Sequence, residues 1–104
     1  MITTLRAARL DDYGFAKQIY FETMRWIIER LFGWDGERED RKFAQQFRIE
    51  EVRIIVADGR DVGWIQTREA DGTLYLGQLY VAPAWQRRGI GSEVLARLIA
   101  EARD

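Results

Sequence analysis

The sequence contains no cysteine and no histidine. Without cysteine there is no disulfide framework, no thiolate nucleophile and no thiolate-held metal. Without histidine the commonest general base and the commonest metal ligand are both gone. Neither a Ser-His-Asp nor a Cys-His arrangement can be assembled. No metal is expected. Chemistry on this chain rests on carboxylates, Tyr, Ser/Thr, Arg/Lys, backbone groups or a cofactor. An excess of charge is lacking too: 16 basic and 17 acidic residues give a formal net charge of -1. That balance gives no general pull toward nucleic acid or an anionic membrane, and neither is expected as a partner. No apolar run is long enough to span a bilayer. The start, MITTLRAARLDD, has no long apolar run behind a basic segment, unlike a secretory leader. The expected location is the cytoplasm. Pro83 is the single proline, and there is no Pro-, Gly- or Ser-rich linker. Residues 1–104 therefore read as one domain.

Hydrophobic periodicity organises that domain. Ile2 to Arg9 mixes β-branched and apolar residues with Arg and predicts a short strand. Asp11 and Asp12 suit an N-cap and first turn. Ala16, Ile19, Tyr20, Thr23, Met24, Ile27, Ile28 and Leu31 follow at offsets of three and four. They predict one bent helix or two in sequence, with Gly33 as a stop. Asp35 caps a further helix, whose buried face holds Phe43 and Phe47. VRIIVA, from Val52, is a continuous apolar strand. Asp58-Gly59 and Asp71-Gly72 are two-residue hairpin signals, so three strands form an antiparallel meander. Simple alternation in TLYLGQLYV puts Leu74, Leu76, Gln78 and Tyr80 on one face and Tyr75, Gly77, Leu79 and Val81 on the other. Both faces are largely apolar, which predicts helices on both sides of the sheet. Ile90, Val94, Leu95, Leu98, Ile99 and Ala102 then form the apolar face of a last helix, opposite Glu93, Arg97 and Glu101. The expected class is α/β of the α+β type, a largely antiparallel sheet of about four strands in the order β-α-α-β-β-β-α.

The stretch from Leu79 to Ser92 joins the end of a strand to the start of that helix. A helix start presents N–H groups without internal partners and the positive end of the dipole. Gly89 and Gly91 lack Cβ atoms, so a bulky anion can approach the backbone. Arg87 and Arg88 add charge beside it. The combination suits phosphate or pyrophosphate held on backbone amides, against the competing reading of a glycine-rich turn that merely starts a helix. A nucleotide P-loop is excluded, since no Gly-Lys-Ser/Thr follows. A dinucleotide fingerprint fits poorly as well: Val94 stands where its third glycine belongs, and the preceding strand is in a meander.

Gln86-Arg87-Arg88-Gly89-Ile90-Gly91 matches the signature Gln/Arg-x-x-Gly-x-Gly/Ala, and LYVAP precedes it. In these residues and in element order the chain resembles the GNAT superfamily of acyl-CoA-dependent N-acetyltransferases. The resemblance implies acetyl-CoA as co-substrate. Backbone amides of Arg87, Arg88, Gly89, Ile90, Gly91 and Ser92 would bind its pyrophosphate. Main-chain groups of Leu79, Tyr80 and Val81 would pair with the pantetheine arm. A small-molecule or peptide amine would attack the thioester directly. In many relatives a carboxylate on this strand serves as base through water. The matching position here is Gln78, which cannot take a proton but could orient water or the acceptor; a structural amide on the sheet face is the competing reading. Glu22 and Glu29 are weaker base candidates, against solvated helix charges. Trp26, Trp34 and Trp64 are candidates for an acceptor pocket, against core. Trp85 is expected to pack beside the loop.

The resemblance also implies a further strand, a helix and closing strands after the last helix, with a tyrosine that protonates the leaving thiolate. The sequence ends at Ala102-Arg103-Asp104, so a truncated GNAT-like fold is expected, with that acid's role left empty. A different class of function follows from the same feature: a non-catalytic binding or assembly module, with an uncovered sheet edge that forms a homodimer. A third reading is an unrelated small α/β domain with a chance motif.

Overall fold

The computed structural model describes residues 2–103. Its strands are β1 (Thr3–Ala7), β2 (Val52–Ala57), β3 (Arg60–Ala70) and β4 (Thr73–Val81). Its helices are α1 (Tyr13–Phe32), α2 (Gly36–Gln46) and α3 (Ile90–Arg103), with short 3-10 turns at Leu10–Asp12, Ile49–Glu51 and Pro83–Trp85. The strands form one sheet in the order β1-β2-β3-β4, antiparallel throughout. This is the expected element order, and the early apolar stripe is one continuous helix.

Local chemistry explains the connections. Asp58 and Gly59 have φ of 50° and 79°, and Asp71 and Gly72 have 53° and 76°. Two left-handed residues in succession make the turn that matches strand twist, and Asp and Gly are the residues that tolerate it. Gly33, at φ 76°, ends α1 with its N–H on the Glu29 carbonyl. The Asp35 side chain accepts from the Arg38 N–H at 3.2 Å and caps α2.

The sheet is covered on both faces, as the double-sided apolar strands require. On one side Ile55, Ala57, Val62 and Ile65 pack against Ile90, Val94 and Leu98 of α3. On the other, Val52, Ile54 and Trp64 pack against Ala16 and Ile19 of α1 and Phe43 of α2. Trp64 is completely buried, with its indole N–H on the Ala16 carbonyl at 3.0 Å. It is core, not pocket lining.

Two further expectations need correction. In β4, Gln78 opposes Gln66 but Leu76 opposes Thr67, so Gly77 is an extra residue in a bulge. One inserted residue reverses the facing of everything beyond it. Leu74 therefore shares the α3 side with Leu79 and Val81, while Tyr75 lines one cleft with Gln78 and Tyr80. Simple alternation had paired them the other way. In α3, Leu95 and Ile99 stay 40% and 54% exposed. Beside the buried Ile90, Val94 and Leu98, charged residues add to the anchoring: Arg97 donates to the Thr3 carbonyl, and Arg53 of β2 makes a two-oxygen contact with Glu101 at 2.9 and 3.0 Å.

Asp12 does not cap α1 with its side chain. Its buried carboxylate instead takes both Arg6 guanidinium nitrogens at 2.9 Å and the Arg9 N–H at 2.7 Å. The Arg6 hydrogen bonds hold the carboxyl down at about 2, from an ordinary 3.8. A group whose pKa is depressed on folding stabilises the fold above its unfolded value and loses that contribution as pH falls through its folded one. The window is therefore roughly pH 4 down to 2, and the contribution at neutral pH is about 2 kcal/mol. Urea unfolding should show Asp12→Asn less stable than the wild-type chain by about this amount at pH 6, with the gap closing toward pH 2. A gap independent of pH would contradict the assignment.

Candidate functional site: the loop before α3 and the cleft beside β4

Beyond Val81 the chain makes a 3-10 turn at Pro83–Trp85, then curls. Arg87 lies at φ 65° and Gly89 at φ 82°. Left-handed residues alternating with ordinary ones turn successive N–H groups toward one point, a backbone nest that favours anions. Among the described residues, no N–H from Arg87 to Ser92 has a protein partner; the first backbone bond of α3 runs from the Glu93 N–H to the Gly89 carbonyl. A Cβ built on Gly89 or Gly91 would meet nothing within 4 Å, so these two positions stand clear of other parts of the chain on the Cβ side. The donors, the open approach and two exposed Arg suit a pyrophosphate. The Arg88 guanidinium sits 4.7 Å from the Trp85 ring centroid, and Trp85 packs against the α3-side core, beside the loop as expected.

The end of β4 leads directly into this nest. Ala82 donates to the Val62 carbonyl at 2.7 Å. Alternation in an antiparallel pair then turns the Tyr80 main chain toward β3 and leaves the N–H and C=O of Leu79 and Val81 on the open edge. The Gln86 side chain ties the loop to that edge by donating to the Val81 carbonyl at 2.9 Å. Gly63 on β3 makes the close approach possible, since a Cβ there would lie 2.2 Å from the Tyr80 carbonyl oxygen.

On the α1–α2 side of the sheet, at the β4 bulge, lies a cleft of about 460 Å³. Tyr20, Tyr75 and Tyr80 form its aromatic wall, and Glu51, Gln66, Arg68 and Gln78 supply polar groups. Burial pushes the Tyr20 and Tyr80 phenols up, with the Glu39 charge adding to the first, so both remain protonated donors at neutral pH. The Gln78 amide N–H donates to the Gln66 carbonyl oxygen at 3.2 Å. Gln66 in turn donates to the Gln46 backbone carbonyl at 2.9 Å and to Glu51 at 3.0 Å.

Gln78 is thus part of the cleft, while other sequence candidates lie elsewhere. Glu22 is exposed and accepts from Gln18, and Glu29 pairs with Arg25 along the helix surface. Trp26 is 66% exposed. Trp34 packs edge-on to Phe21, under the Arg25 guanidinium. None of these four lines the cleft. Sequence reading missed Glu51, Gln66 and Tyr20. Nothing local marks them: Glu51 reads as the edge of a charged turn, Gln66 as one polar residue in a strand, Tyr20 as part of an apolar stripe.

The Gln86–Ser92 loop does join a strand to a helix start, which removes the chance-motif reading. Residues 15–104 match the family model described as Acetyltransferase (GNAT) family. No curated protein matches the sequence. Among solved structures, the fold resembles N-acetylglutamate synthase from Neisseria gonorrhoeae, complexed with coenzyme A and N-acetyl-glutamate, at 22% identity and TM-score 0.63; the match covers 99% of this chain and 23% of that one. It resembles PaiA N-acetyltransferase from Thermoplasma acidophilum, in complex with coenzyme A, at 15% identity and TM-score 0.72, covering 99% and 73%. It also resembles the ribosomal-protein-S18-alanine N-acetyltransferase from Escherichia coli at 20% identity and TM-score 0.60, covering 97% and 59%. The shared feature at these identities is the fold. With the family model spanning most of its length, the chain belongs to the GNAT family of acetyltransferases.

Proposed function

We propose that this chain binds acetyl-CoA and transfers its acetyl group to a primary amine by direct attack. The observation that carries the reading is the run of N–H groups from Arg87 to Ser92 that have no partner among the described residues, with Gly89 and Gly91 free of contact on the Cβ side. Such donors, with the helix dipole behind them, favour a pyrophosphate. The open-edge main-chain groups of Leu79 and Val81 suit the amides of a pantetheine arm laid along β4. Two of the similar structures were solved with coenzyme A.

Acetyl-CoA supplies an activated acyl group as a thioester. The chain's own part is to hold that group beside the Tyr20, Gln78 and Tyr80 cleft, where an amine is received. Holding the two reactants at one geometry is the main source of acceleration. Leu79 N–H, on the open edge, is the candidate donor to the developing oxyanion. The C–N bond forms as the C–S bond breaks. The amine gives up one proton to solvent and the leaving sulfur takes one from solvent.

Acetyl-CoA titration followed by backbone amide NMR tests the binding half. The Gly89 and Gly91 amides should move first and furthest, and saturating acetyl-CoA that perturbs neither would exclude the loop as its site. Assay of coenzyme A release across a panel of amines tests transfer. The exposed Tyr75 and Leu76 on β4, with Leu95 and Ile99 on α3, favour the assembly module as a second reading. Binding without transfer, together with a particle mass that rises with concentration, would support it instead.

A further inference from the structure

The three amide and carboxylate groups in the cleft form a chain whose direction chemistry dictates. A backbone carbonyl can only accept, and so can an ionised carboxylate. The atom of Gln66 that faces the Gln46 carbonyl at 2.9 Å and Glu51 at 3.0 Å must therefore be its nitrogen. Gln66 is buried at 7% exposure, and turning its amide over would set oxygen against oxygen at both contacts. Its carbonyl oxygen then faces Gln78, so the Gln78 atom at 3.2 Å must be nitrogen as well. What remains is the Gln78 carbonyl oxygen. It has no partner among the described residues, and it is not sealed from solvent.

We infer that Gln66, locked by the Gln46 carbonyl and Glu51, is a positioning residue that makes Gln78 present a hydrogen-bond acceptor to the cleft, where it takes an N–H of the incoming amine. The inference rests on the acetyl-transfer reading and adds to it a way of aiming the nucleophile. An amine held by one N–H on a fixed carbonyl keeps its lone pair free to point at the thioester. Gln78 needs no proton-accepting ability for this, which accounts for an amide where a base is expected.

The direction of the chain has a readout that needs no activity. Gln78→Glu would set a carboxylate oxygen against the locked Gln66 oxygen, and only the protonated acid can donate to it. The introduced carboxyl should titrate about one unit above the ordinary glutamate value, by NMR of its side-chain carbon. Arg68 and Glu51 are the charged groups lining the cleft, and Tyr20, Tyr75 and Tyr80 its titratable aromatics. All of them are shared by the double variant with Gln66→Met, which keeps side-chain volume and should bring the value back down. Equal values in the single and double variants would overturn the orientation. For transfer, the probes are n-butylamine, benzylamine and a lysine peptide. Gln66→Met should raise the amine KM about tenfold, the loss of one oriented hydrogen bond, with acetyl-CoA affinity retained. Glu51→Ala should raise it less, and Glu51→Gln, which keeps an accepting oxygen, should restore it toward wild type. An unchanged KM in Gln66→Met would overturn the positioning role. If the wild-type chain acetylates none of the probes, the transfer reading fails, and the titration still decides the orientation.

Discussion

Gly91→Val should leave the chain folded and deprive it of coenzyme A. Gly91 lies in the first turn of α3, its φ is not in the left-handed region, and a Cβ there meets nothing within 4 Å. Exchanging glycine for a β-branched residue at such a helical position changes stability by less than about 1 kcal/mol. The same side chain would add bulk within the Arg87–Ser92 run, whose N–H groups have no partner among the described residues. A pyrophosphate held by those donors loses at least two charge-assisted hydrogen bonds, each worth about 1.5–3 kcal/mol. The dissociation constant for coenzyme A should therefore rise by about a hundredfold or more. Calorimetric titration beside a thermal melt measures both quantities on one sample. Gly89 would be a poorer choice, because its φ of 82° strains any side chain and mixes folding with binding. Affinity within a few-fold of wild type in a normally melting Gly91→Val chain would remove the loop from the cofactor site.

The second large effect concerns stability. At Gly63 a Cβ would stand 2.2 Å from the Tyr80 carbonyl oxygen and 3.1 Å from the Val81 Cα. Both obstacles are backbone, so no side-chain rotation relieves them, and β3 and β4 must part. Overpacking a fixed site costs about 1–3 kcal/mol when neighbours yield a little, and here the cost should reach the top of that range or exceed it. Against a total stability of about 5–15 kcal/mol, Gly63→Ala should lower the melting temperature by roughly 12 °C or more. Gly77→Ala is the contrast: its Cβ would lie 3.5 Å from the Gln66 carbonyl, an ordinary contact. The two alanine variants should differ widely in calorimetric melts. Similar small shifts in both would mean that the β3–β4 approach is looser than the geometry requires. Because Val81 also forms the open edge before the nest, Gly63→Ala should weaken coenzyme A binding in whatever fraction remains folded.

Several elements were legible because their causes are local. Asp58-Gly59 and Asp71-Gly72 need left-handed backbone at adjacent positions, a demand met by the dipeptide itself. Asp35 caps α2 through an N–H three residues away. The function proposed for the Gln86–Ser92 loop rests on backbone N–H groups and missing Cβ atoms, properties written into the order of residues. The two-sided burial of the sheet was legible in VRIIVA, where Ile54 and Ile55 go to opposite cores.

Other features depend on partners distant in sequence. Alternation in β4 fails at Gly77, because a bulge is decided by how a strand registers against its neighbour. Leu95 and Ile99 match the helical period yet stay exposed, while Arg97 and Glu101 bind α3 to β1 and β2. A period reports which residues can be buried together; it does not report how wide a surface is available to bury them. The cleft is the clearest case. Tyr20 comes from α1, Glu51 from the turn before β2, Gln66 from β3 and Gln78 from β4, and no spacing along the chain relates them. The sequence by itself determined the family, the element order and the strand-to-helix loop proposed to hold the pyrophosphate, since each follows from neighbouring residues and their backbone chemistry. Only the tertiary structure decided which side chains share the cleft beside β4, and in which direction its amides point, because hydrogen-bond direction depends on what faces each group across the sheet.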